Sequence, residues 1–301
     1  MQTKSKPQPH SPAALRPLGA HMSTSGGFTT AVEQSALVEA TAVQIFTKSQ
    51  LRWQASPITA GEAKAFREIV AASPLRFVCA HDSYLINLAA TSEEIREKSV
   101  TSLAHELERA DLLGCVCLVM HPGAPKEDPK EVGIRRIVEG LRHVLKATAG
   151  LRIRIALENT AGQGSTLGVT FAEIAAMIRG VGGDPRLGVC LDSCHAFASG
   201  YELRTPQGVT AMVDEFAHEI GLERLIMLHL NDSKKEFGSR IDRHEHIGKG
   251  CIGETGFRNV LREPRLRGIP GIIETPKDDR KDKELWEDRA NLELLRKLEA
   301  G

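Results

Sequence analysis

Six apolar runs in this chain each stop on a side chain that can bind a metal ion. Residues 77–80 end on His81, 115–120 (CVCLVM) on His121 and 153–157 (IRIAL) on Glu158. Residues 187–191 end on Asp192, 225–228 (LIML) on His229 and 271–273 on Glu274. His195 follows Asp192 by three residues, and Asp242 and His244 sit in a polar stretch after His229. Taken singly, each has a bland reading: a satisfied core histidine, a helix N-cap, a strand-end carboxylate, an exposed turn. Together they are hard to explain without a cation. A carboxylate at the end of a buried strand is costly unless paired or metal-bound, and acids gathered at one mouth repel one another at neutral pH. Imidazole with carboxylate suits Zn²⁺ or Mn²⁺. Nine donors exceed one four- or five-coordinate ion and fit two or three ions with a bridging carboxylate. Clustered divalent ions suit phosphoryl chemistry, because they generate hydroxide and stabilise both oxygens of an in-line displacement.

Such convergence requires parallel strands whose C-terminal ends share one face. The chain alternates accordingly. Strands are expected at 18–21, 42–46, 76–81, 115–121, 152–158, 187–192, 224–229 and 270–274. Helices are expected at 29–38, 60–72, 92–112, 132–147, 171–178, 209–220, 257–261 and 284–298, with a polar loop between His229 and residue 257. Thr91 with Glu94 makes a capping box for the third helix. The strands are continuous apolar runs, as in sheets buried on both faces. Eight βα units describe a TIM (β/α)₈ barrel, one domain over residues 18–301, with the active site at the C-terminal face of the strands. A doubly wound open sheet is the rival, but it spreads its strand ends along a line.

Composition narrows the class. The 301 residues are 41% hydrophobic and 26% charged, which fits a folded domain with a large core. Lys+Arg and Asp+Glu both number 39, so bulk positive charge is not how this chain would grip nucleic acid, although a local basic rim is compatible. The six cysteines lack a disulfide framework. Cys79, Cys115, Cys117 and Cys190 lie in apolar runs and read as reduced core thiols, with Cys115 and Cys117 on one strand face. No apolar run approaches the roughly 20 residues of a membrane span. Residues 1–17 are proline-rich and basic, with no acid before Glu33, and read as a disordered tail rather than a transit peptide.

The segments GAHMSTSGG (19–27), HDSYLINLA (81–89), MHPGA (120–124), LENTAGQG (157–164), LDSCHAFASGYELRTP (191–206), LHLNDSK (228–234), DRHEHIGKGCIG (242–253) and IIETP (272–276) resemble the endonuclease IV family. These are zinc-dependent apurinic/apyrimidinic endonucleases of base excision repair. The resemblance runs in order from about residue 18 to the end. It implies a barrel holding three zinc ions, with manganese an option at one site. His81, His121 and Glu158 match the first site. Glu158 bridges to a second, completed by Asp192, His229 and Glu274, and His195, Asp242 and His244 match the third. It further implies cleavage of the phosphodiester 5′ to an abasic site, leaving a 3′-hydroxyl and a 5′-deoxyribose phosphate, with trimming of blocked 3′ ends. Glu274 and Glu158 carry the catalytic roles. The partner is double-stranded DNA bearing abasic sites or blocked 3′ ends, met by a monomer in the cytoplasm at the nucleoid. Tyr84 matches a DNA-contacting tyrosine, and Arg243 is a further candidate DNA contact. One departure stands out: in FTKSQLRW (46–53), Leu51 replaces the family's gap-filling arginine, with Arg52 one place along. Two rivals compete: a metal-dependent sugar isomerase or epimerase on the related barrel, which would lack the third trio, and an inactive metal-stabilised DNA-binding protein.

Overall fold

The computed structural model of the chain describes residues 15–277 and 285–301. The strands are β1 (Leu18–His21), β2 (Ala42–Phe46), β3 (Phe77–His81), β4 (Cys117–Met120), β5 (Arg154–Glu158), β6 (Leu187–Asp192) and β7 (Leu225–His229). A two-stranded ribbon of β8 (Asp232–Ser233) and β9 (His244–Glu245) follows, and then β10 (Gly271–Ile273). All barrel pairings are parallel, and the order β1-β10-β7-β6-β5-β4-β3-β2 closes on itself. The eight expected strands are therefore the eight staves of a TIM barrel, each within three residues of its expected ends. At the tightest approach, a Cβ on Gly19 would lie 1.7 Å from the Ala42 carbonyl oxygen, so β1 and β2 pair this closely only with glycine there.

Both sheet faces are buried, which explains the unbroken apolar runs. Outward positions such as Val43, Ile45, Val78, Leu118, Ile155, Leu157, Val189 and Leu228 pack under the helices. Inward positions form a second cluster that includes Cys79, Val119, Ala156, Cys190, Met227 and Ile272. Side chains repeat every second residue along a strand. Two residues beyond these six stand His81, His121, Glu158, Asp192, His229 and Glu274. The pleat thus places all six strand-end donors in the next inward layer, at the C-terminal mouth. A register shift between β6 and β7 sets this parity for His229: Val189 pairs with Leu225 but Cys190 with Met227, which brings Asp192 opposite His229.

Local differences from the sequence expectation have identifiable causes. The third helix (Glu93–Leu113) is capped by Ser92, whose hydroxyl accepts from Ile95 N at 3.4 Å. Thr91 is instead used for tertiary contact, donating to the Pro125 carbonyl at 3.0 Å and lying 2.9 Å from Asp128. Cys115 precedes β4 and joins the outer cluster, whereas Cys117 lies inside the barrel, so the two thiols do not share a face. Residues 1–14 of the expected tail lie outside the described residues. Its end is anchored: Arg16 is buried, donating to the Ile269 carbonyl at 2.5 Å and to Glu299 at 3.0 Å. Among the described residues, no helix is long and apolar enough to cross a membrane.

Two elements within the expected loops matter for the site. A short helix (Ser193–Ser199) starts directly after β6, with Asp192 as its N-cap: its Oδ1 accepts from His195 N at 2.6 Å. That turn carries His195 back over the barrel mouth. The β8–β9 ribbon brings Asp242 and His244 in from the side. It is held by buried Asp232, which accepts from Gly248 N (2.9 Å), Gly250 N (3.0 Å) and Ile252 N (3.0 Å).

Candidate metal centre

Glu158, fully buried at the end of β5, is the hub. Its Oε2 faces His81 Nε2 at 3.3 Å and His121 Nε2 at 3.1 Å. Its Oε1 faces His229 Nδ1 at 2.8 Å and His195 Nδ1 at 3.4 Å. The two oxygens therefore look toward different groups, which is the arrangement a bridging carboxylate needs. Sets of donor atoms within 4.8 Å of one another include His81, His121 and Glu158; Glu158, Asp192, His229 and Glu274; Asp192, His195 and His244; and Cys194, Asp242 and His244. Asp242 also reaches His195 Nε2 at 3.2 Å and His244 Nε2 at 3.4 Å. All nine residues singled out from the sequence come together at one mouth.

The histidines show why a cation fits. An imidazole that binds metal through one nitrogen typically donates its other N–H to an oxygen nearby. His81 Nδ1 donates to the Asp82 carbonyl (3.0 Å), His195 Nδ1 to the Asn159 carbonyl (2.8 Å) and His244 Nδ1 to the Glu274 carbonyl (3.1 Å). Because a carbonyl oxygen only accepts, the opposite nitrogen is left with its lone pair toward the carboxylates. Of these opposite atoms, His195 Nε2 and His244 Nε2 are buried and make no hydrogen bond of normal geometry. Buried nitrogens without hydrogen-bond partners, aimed at acids 3–4 Å away, are what a coordinated ion would satisfy.

Electrostatics points the same way. Burial alone would lower the histidines, but it is outweighed. Hydrogen bonds to Asp82 and Glu158 hold His81 well above the usual imidazole range, and Asp192, Asp242 and Glu158 do the same for His195. Against its burial, Glu274, Glu158 and Asp192 push His229 up to about 9. Against their own burial, the histidines hold Glu158 and Glu274 well below the ordinary carboxylate range and Asp242 down to about 2. In metal-free protein, protons thus stand in for the cations. The histidine contribution to stability is complete below the unfolded value of about 6.5 and is lost as pH rises through about 9. The acid contribution is present above about 4 and is lost as pH falls toward about 2. Chelator-treated protein should therefore show a thermal midpoint that falls between about pH 6.5 and 9. A midpoint rising across that window would contradict this electrostatic picture.

The layer supporting these donors was not legible from the sequence. Asn159 accepts from Asp192 N (2.7 Å) and donates to the Asp192 carbonyl (3.1 Å). Asn231 donates to Asp192 Oδ2 (2.7 Å) and accepts from Glu274 N (2.6 Å). The available signal was position: each asparagine directly follows a strand-end donor or lies two residues beyond one.

The candidate DNA contacts stand on the rim. Tyr84 is 66% exposed, its ring 6.3 Å from that of His81. Leu51 is 76% exposed, and Arg52 and Arg243 also face solvent. The loop bearing Leu51 is anchored from beneath. Buried Lys48 donates to the Arg52 carbonyl (2.8 Å) and the Trp53 carbonyl (3.1 Å), and pairs with buried Glu106 at 3.1 Å. Ser83 ties the Tyr84 loop to it, its hydroxyl donating to the Gln50 carbonyl at 2.7 Å.

Comparison with known proteins gives the family. Residues 32–298 match the family model described as a xylose isomerase-like TIM barrel. A protein of Chloroflexus aurantiacus named "Probable endonuclease 4" is 44% identical over 94% of this chain and 98% of its own length. Its namesake in Geobacter sulfurreducens is 45% identical over 93% of this chain and 94% of its own. The crystal structure of endonuclease IV from Thermus thermophilus superposes with a TM-score of 0.81 at 38% identity, covering 93% of this chain and 98% of that one. A D-tagatose 3-epimerase-like protein shares the fold, with a TM-score of 0.70 at 21% identity, covering 93% of this chain and 96% of its own. On the match to the barrel model and to these relatives over nearly their whole lengths, the chain belongs to the endonuclease IV family.

Proposed function

We propose that this protein is an apurinic/apyrimidinic endonuclease that hydrolyses the phosphodiester 5′ to an abasic site in duplex DNA. The product is a 3′-hydroxyl and a 5′-deoxyribose phosphate, and the same chemistry at a strand terminus trims blocked 3′ ends. One observation carries this reading: nine nitrogen and oxygen donors converge on one barrel mouth around Glu158, with the other nitrogens of three histidines already committed to carbonyl oxygens. That set fits three zinc ions, with manganese an alternative at the position of His195, Asp242 and His244. When bound, the divalent ions supply an activated water and neutralise charge on the phosphate.

The chain's residues do the rest. Glu158 holds the two inner donor groups in one frame through its separate oxygens. Glu274, whose side chain is 20% exposed at the mouth, orients the attacking water. No protein nucleophile is needed. Tyr84, Leu51 and Arg52 line the rim where a bent duplex would rest, and Arg243 supplies a cation for its phosphates. Leu51 would act as an apolar wedge at the duplex gap, preordered by the Lys48–Glu106 pair. Flipping an abasic sugar costs little, since no base pair is lost there. All nine donors come from one chain, so a monomer suffices, acting on DNA in the cytoplasm.

The sugar epimerase reading rests on shared fold alone, and the trio His195, Asp242 and His244 weighs against it. Product analysis decides between phosphodiester hydrolysis and other cleavage. On a duplex with one natural abasic site, the upstream fragment should prime polymerase extension without further treatment. A blocked upstream 3′ end would overturn the proposed reaction.

A further inference from the structure

Gln44 occupies an inward position of β2, fully buried, between His21 of β1 and Cys79 of β3 in the register. Its amide is saturated. Nε2 lies 2.6 Å from Glu274 Oε1 and 3.0 Å from His21 Nδ1. Oε1 lies 2.9 Å from His229 Nε2 and 3.5 Å from the Cys79 thiol, which donates to it. Two donors and two acceptor lone pairs are the full capacity of a carboxamide. The orientation is also fixed: turning the amide over would set its oxygen 2.6 Å from the Glu274 carboxylate. The oxygen that faces His229 can only accept, so His229 carries its proton on Nε2. Nδ1 is then the nitrogen that faces Glu158 (2.8 Å), Glu274 (3.4 Å) and Asp192 (4.0 Å), where a second proton sits in metal-free protein and an ion would take its place. The backbone carbonyls that orient His81, His195 and His244 turn Nε2 inward in those rings. His229 is turned the other way, Nδ1 inward, by a side chain.

We propose that Gln44 is a positioning residue that keeps a proton on His229 Nε2, so that Nδ1 is the nitrogen offered to an ion, and holds Glu274 beside it, so that the second donor group is assembled before any ion arrives. This rests on the metal-centre reading given above. A single side chain spans β2, β7 and β10 and ties two donors from different strands to one rigid amide. Removing an orienting partner of this kind weakens metal binding about 10- to 100-fold.

The test uses the zinc-loaded full chain and needs no DNA. An excess of a chromogenic zinc chelator is added and zinc release is followed by its colour change, in wild type and in Gln44→Met, which keeps the side-chain length without the hydrogen bonds. One ion should leave about 10- to 100-fold faster from the variant. In parallel, proton–nitrogen correlation spectra of the zinc-loaded, isotope-labelled wild-type protein report which His229 nitrogen is protonated, the ring being assigned by its loss in His229→Gln. A proton on Nε2 supports the assignment. A proton on Nδ1 overturns it even if Gln44→Met fails to fold, and so does an unchanged release rate in a folded variant. A wild-type protein that takes up no zinc would sink the metal-centre reading itself, and this assignment with it.

Discussion

Glu274→Gln should leave the barrel folded and lower nicking of an abasic duplex by about 10³-fold, within the range for loss of a positioned acid–base group. The substitution is nearly isosteric. Glu274 follows β10, whose backbone is held by pairing with β1 and by Asn231, which accepts from Glu274 N at 2.6 Å. The carboxyl group touches Gln44, His21 and His229, all side chains of the mouth, so its loss leaves the packing of the barrel wall intact. What changes is charge. An amide cannot supply the negative oxygen that faces His229 Nδ1, nor hold a water by accepting from it on both sides. The measurement is single-turnover nicking of a duplex carrying a tetrahydrofuran analogue, with zinc content and circular dichroism on the same sample. Near-normal nicking would remove Glu274 from the chemistry.

Glu158→Ala should have the broader effect. This carboxylate is completely buried and lies within 3.4 Å of four imidazoles. Without it the first donor group keeps only His81 and His121, and the second loses its link to them. Zinc should fall from the proposed three ions per chain toward one, retained by the outer group that Glu158 does not complete, and activity should vanish. The metal-free protein should also lose about 3 kcal/mol, because breaking a buried charge pair strands its partners. Metal analysis by plasma emission and a denaturant midpoint near neutral pH check the two parts separately. Three ions retained in the variant would show that Glu158 does not bridge.

How much of this was visible in the amino-acid sequence follows from the physics of strands. A buried parallel strand announces itself as an apolar run, and a polar residue that ends such a run has few bland explanations when six runs do the same. His81, His121, Glu158, Asp192, His229 and Glu274 were legible for that reason. The pleat that makes them share a layer needs only a period of two, counted back from each donor. His195, Asp242 and His244 were harder, since a turn of helix and a two-residue-per-strand ribbon position them. Neither element has enough length to show a period, and what holds them in place is tertiary: the Asp192 cap and the Asp232 carboxylate. The residues offered them only as further donors near Asp192 and His229, and the family resemblance grouped them as a third site. Gln44, Asn159 and Asn231 escaped for another reason. A carboxamide inside an apolar strand or just beyond its end looks like an isolated polar residue until its partners are known, and those partners lie up to 230 residues away. The same logic misassigned the third helix's cap, because Thr91 and Ser92 offer the same hydroxyl and only the Asp128 loop decides between them.

Multinuclear metal hydrolysis at this mouth, cutting DNA at abasic sites, is the claim on which everything else rests. The most direct measurement is nicking of a duplex bearing one abasic analogue, before and after prolonged chelation, and again after zinc is restored. Cleavage on the 5′ side of the lesion, lost with the metal and recovered with about three zinc ions per chain, is the expected result. Undiminished cleavage by protein shown to be metal-free, or no cleavage by protein holding its full zinc complement, would contradict it.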